Sequence, residues 1–107
     1  MRTTEPEIGQ SFEIEELVMA QEMVAGLPFG GTKLAVSTKH EAVPEAIEIT
    51  PPRCFIAFWS IWKRADGRIV VDAVRDHDEA GNYDVEHLEF ERMEDALAAV
   101  RAELIAG

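Results

Sequence analysis

Phe55-Ile56-Ala57-Phe58-Trp59-Ser60-Ile61-Trp62, followed by Ala65-Asp66-Gly67 and then Arg68-Ile69-Val70-Val71-Asp72-Ala73-Val74-Arg75, is the stretch on which the fold turns. Its first segment has two readings. Phe55, Phe58, Trp59 and Trp62 stand at helical spacing and Thr50-Pro51 could open a helix, whereas the aromatic and β-branched content favours a strand. Asp66-Gly67 decides for the strand, because it is a strong hairpin signal and residues 68–75 read as the returning partner. With Ala65-Asp66-Gly67 as the loop, Trp62 faces Val70, Ser60 faces Asp72 and Phe58 faces Val74. Both faces of this hairpin are then largely apolar. A helix is expected on one face, and a second helix, a long loop or a partner subunit on the other.

Before the hairpin, Lys33 to Thr38 alternates as a strand with Leu34 and Val36 on one side, and Ala46 to Thr50 reads as a second strand with Ile47 and Ile49 together. Pro44 and Pro51-Pro52 bound the latter. The Leu27-Pro28-Phe29-Gly30-Gly31 stretch is a turn: a phosphate cradle would need a strand before it and a helix after it, and the order here is the reverse. A helix is predicted from Ser11 as its cap to Gly26 and Pro28, with Glu13 in its first turn and Ile14, Leu17, Val18 and Val24 near one face. Met19 and Met23 widen that apolar stripe toward a second surface. Thr4 and Glu7 have capping-box spacing without an apolar period after them, so residues 1–10 read as a flexible lead-in.

After the hairpin, residues 77–84 form a polar connection and Val85 to Glu91 resumes as a strand with Leu88 and Phe90 on one face. Met93 to Ala106 is the clearest helix, with Met93, Ala96, Leu97, Val100 and Leu104 in one stripe and Glu94 and Asp95 at its N-terminal end. The resulting order, α-β-β-β-β-β-α, predicts a single two-layer α+β domain over residues 1–107. Its mostly antiparallel sheet has four to five strands and is flanked by an N-terminal and a C-terminal helix.

The 107 residues carry 21 acidic and 10 basic side chains, a formal net charge of -11, with 47% hydrophobic residues. That much apolar content excludes disorder, and the acidity disfavours direct binding of nucleic acid or docking on an anionic membrane. The N-terminus lacks the basic start and apolar centre of a secretory signal, and residues 54–62 are too short to span a bilayer, so a cytoplasmic location is expected. Cys54 is the only cysteine, which leaves no internal disulfide; its apolar neighbours make it a structural residue rather than an activated thiol.

No catalytic pattern emerges. His40, His77 and His87 each have acidic neighbours, the serines lie in no nucleophile elbow, and the chain reads as non-enzymatic with no cofactor. Residues 76–84 match part of a calcium loop, with Asp76, Asp78 and Asp84 as metal candidates. Ala80 and His87 nevertheless stand where oxygen donors are needed.

Charge is lopsided along the chain: residues 1–27 have a net charge of -5, residues 28–65 of +2 and residues 66–107 of -8. Asp76, Asp78, Glu79, Asp84, Glu86, Glu89, Glu91, Glu94 and Asp95 face only Arg92 in that interval. Contiguity in sequence predicts that these carboxylates cluster into a partner-binding face for a basic protein surface. An inhibitor, an immunity-type antagonist or a nucleic-acid mimic would use such a face. The alternative expectation is a homodimer joined through the aromatic hairpin by Phe58, Trp59 and Trp62.

Overall fold

A computed structural model describes residues 9–38, 43–52, 57–76 and 83–106. Two helices, Ile14–Ala25 (α1) and Met93–Ala106 (α2), enclose five strands in sequence: Lys33–Ser37 (β1), Ala46–Thr50 (β2), Ala57–Lys63 (β3), Ile69–Asp76 (β4) and Tyr83–Phe90 (β5). The strands form one antiparallel sheet in the order β1-β2-β3-β4-β5, each pairing with the next. The fold is the expected α+β arrangement. Cys54, Phe55, Ile56, His40 and His77 lie outside the described residues.

The deciding hairpin is a strand pair with the anticipated register: Trp62 lies opposite Val70, Ser60 opposite Asp72 and Phe58 opposite Val74. Its loop is a tight turn closed by Gly67 N–H donating to the Arg64 carbonyl at 3.0 Å, after which Gly67 takes φ +90°. Three-residue hairpin loops need a left-handed residue at that position, and glycine adopts it without a Cβ clash. Asp66 reinforces the turn. Its carboxylate accepts the Arg68 backbone N–H at 3.0 Å and the Arg64 guanidinium, and these contacts, the Arg64 hydrogen bond foremost, hold its pKa below the ordinary 3.8.

Strand alternation gives the sheet two unlike faces. Ile47, Ile49, Trp59, Ile61, Ile69, Val71 and Ala73 form one buried cluster with Ala20 of α1 and Met93, Ala96, Leu97, Val100 and Leu104 of α2. Both helices therefore pack on this face. A sheet of five strands at about 4.8 Å spacing is wide enough for two helices side by side. The expectation of a second helix on the other face is corrected accordingly, and no helix among the described residues covers it.

α2 buries the five residues that its sequence stripe singled out. α1 departs from expectation at both its start and its face. Phe12 is drawn into the core, so the chain stays extended through it and the helix opens at Glu13 rather than Ser11. Glu16 reaches back to accept the Glu13 N–H at 2.8 Å and also pairs with Lys63 at 2.6 Å, pinning α1 to the end of β3. Fully buried Ala20 sets the packing face, joined by Leu17, Met19, Met23 and Val24, whereas Ile14 is 78% exposed and Val18 is 42% exposed. A helix apolar on most sides does not reveal by period alone which side is buried.

Candidate protein-docking surfaces

Among the described residues β5 is an edge strand, with β4 as its one neighbour in the sheet. Period-two alternation distributes its charges to both sides: Asp84 and Glu86 share a side with Leu88, and His87 and Glu89 share the other. All four are exposed, and the chain continues directly into exposed Glu91, Glu94 and Asp95 at the start of α2. The sequence-predicted carboxylates from Asp84 to Asp95 thus do lie along one border of the molecule. Asp78 and Glu79 fall outside the described residues, as does the side chain of Asp76, and so does the metal reading of Asp76, Asp78 and Asp84.

The structure adds cations that sequence proximity did not reveal. Glu89 is bridged by Arg64 and Arg68, both at 3.0 Å, and Glu86 by Arg75 at 3.8 Å, while the sequence neighbour Arg92 bridges Glu94 and Asp95 at 3.1 and 3.6 Å. These pairs are solvent-exposed at one or both partners, and such bridges contribute little, so a stronger basic partner displaces them readily. Glu91 has no ionic partner among the described residues. Carboxylates on an open edge also discourage pairing of that edge with a copy of itself.

The helix-free face of the sheet is built from three cross-strand rows. Ala46, Trp62, Val70 and Glu89 form one row; Glu48, Ser60, Asp72 and His87 the next; Phe58, Val74 and Val85 the third. Asp72 organises the middle row by accepting the Trp62 indole N–H at 3.2 Å and pairing with His87 Nδ1. Phe58, Trp62 and Val74 are half-buried, and Val85 is exposed. Trp59, by contrast, lies on the opposite face, 6% exposed, with its indole N–H donated to Glu103 of α2. Of the three residues expected at a self-association surface, Phe58 and Trp62 share a face and Trp59 belongs to the core.

A serine, an aspartate and a histidine in one row invite comparison with a nucleophilic triad, but their order defeats the chemistry. Asp72 stands on the strand between Ser60 and His87, which places those two about 10 Å apart, beyond proton-transfer reach. A cleft of about 520 Å³ opens between the α1–β1 connection and the end of α2, with Phe29, Pro51, Trp59 and Ile105 in its walls. Arg75 and Glu103 at its rim pair with each other at 3.3 Å. Its polar groups are therefore engaged internally. No helix of the described residues is long and apolar enough to cross a membrane.

No protein-family model, curated protein or solved structure matches this chain.

Proposed function

We propose that this chain is a non-catalytic binding protein that docks its β5 border on a basic surface of another protein, as an inhibitor or antagonist would. One observation carries the reading. The edge strand and the helix start that follows it present exposed carboxylates on both sides of a backbone edge that no other described strand pairs. An extended Lys- or Arg-bearing segment meets both needs of such an edge, supplying backbone hydrogen bonds along the strand and charge complementarity beside it. The same carboxylates disfavour an acidic strand, which makes the edge selective for cationic partners. A target that grips nucleic acid through a basic groove fits this description, with the carboxylates occupying the places of phosphates.

Affinity capture from the native lysate tests the proposal. A basic protein retained at about 50 mM salt and lost at about 500 mM is the expected result, because the Debye length contracts several-fold over that range. A complex indifferent to salt contradicts it.

A further inference from the structure

From the depression at the end of the β5 border we infer a subsite for one lysine or arginine side chain of a basic partner; that the occupant belongs to a partner rests on the docking reading above. The depression, of about 350 Å³, opens where α1, the turn between β3 and β4 and the start of α2 converge. Its floor is apolar: Ile69 and Met93 are buried and Met19 is half-buried. Its rim carries Glu91 and Glu94, two of the border carboxylates that follow β5, and both are exposed. Gly67 completes the mouth, with open space where a Cβ would stand.

A side chain with an aliphatic stem and a cationic head matches this arrangement, because lysine and arginine lay the stem on apolar surface while the head keeps its polar contacts. An acidic side chain is repelled by the rim, and a purely apolar one would take water from Glu91 without replacing it. The two cations already at the depression do not fill the role. Lys63 is paired with Glu16 at 2.6 Å, and only 11% and 16% of the two side chains are exposed, so this pair forms a wall. Arg92 points outward, its side chain 70% exposed, and bridges Glu94 and Asp95 of its own helix start. Glu91 has no ionic partner among the described residues and is the carboxylate left for an incoming head group. Position favours the same occupant. β5 ends at Phe90, so a segment paired along its edge reaches the depression with the residue that follows its last strand contact. A pocket at one point of an interface is where a single side chain, arginine prominent among them, carries much of the binding energy.

Heteronuclear NMR titration of the full chain with N-acetyl-arginine methylamide, at about 50 mM salt, tests the assignment without a partner. Saturable shifts of the Met19 methyl, Ile69 and Glu91 resonances are expected, with a Kd on the order of 1 mM, the scale for a ligand of this size. Methylguanidinium has the head without the stem, and N-acetyl-norleucine methylamide the stem without the head; each is expected to bind at least about fivefold more weakly. Glu91→Gln is expected to weaken the arginine probe about threefold, and Glu22→Gln on α1 to leave it unchanged. Shifts spread over the exposed carboxylates without saturation overturn the subsite. Equal binding of methylguanidinium does so as well, as does an equal effect of Glu22→Gln and Glu91→Gln. Because no partner enters the titration, its failure overturns the subsite alone, whereas failure of the lysate capture bears on the β5 border.

Discussion

Gly67 carries a φ of +90° with no atom within 4 Å of where a Cβ would stand, so replacing it isolates the backbone term. Gly67→Ala is expected to destabilise the fold by about 1 kcal/mol through left-handed strain alone, measured as a lower denaturant midpoint at unchanged slope. Beside it, Asp66 has a folded-state pKa below its ordinary 3.8 because the Arg64 side chain and the Arg68 backbone hydrogen-bond its ionised form. The stabilisation is therefore present at neutral pH and is lost as the pH falls through the folded-state value. Unfolding measured across pH should show Asp66→Asn less stable than the parent near neutrality and converging with it in strong acid. A difference that grows on acidification contradicts this account of the turn. These residues were legible in the sequence because hairpin loops use few residue types, each for a local reason. The Asp72–His87 contact was not legible, because it depends on β4–β5 register and no comparable loop signal sets that register.

At the scale of elements, α2 and α1 make an instructive pair. The α2 stripe was readable because its other positions are mostly charged or alanine, which leaves a single apolar side. In α1, Ile14, Leu17, Val18, Met19, Met23 and Val24 surround most of the helix, and the core takes the side centred on Ala20. Two truncations on α2 test which contacts hold the layers together. Leu97→Ala removes a side chain 4% exposed within the cluster and is expected to lose about 3 kcal/mol, in the range of buried large-to-small substitutions. Ile105→Ala, at a position 47% exposed, is expected to change stability by less than about 1 kcal/mol. Equal losses at the two positions would mean that α2 is seated differently on the sheet.

For the whole molecule, the charge of -11 resolves into parts with different surroundings. The α1 carboxylates Glu15 and Glu22 are exposed on a helix rather than on a strand, whereas those of β5 and the start of α2 lie along a sheet edge. Sequence proximity indicated the second group but not its neutralisation. Arg64, Arg68 and Arg75 reach it from the loop end and strand beside it, and only the three-dimensional pairing brings them there. Placement, more than total charge, is therefore what distinguishes a docking border from a solubilising coat. The most direct measurement compares two variants of equal net charge in capture of the basic partner at low salt. Glu86→Lys with Glu91→Lys alters the β5 border, and Glu15→Lys with Glu22→Lys alters α1. Loss of capture in the first variant and its retention in the second is the predicted result; equal capture by both, or loss in both, would contradict the assignment of the docking surface to β5.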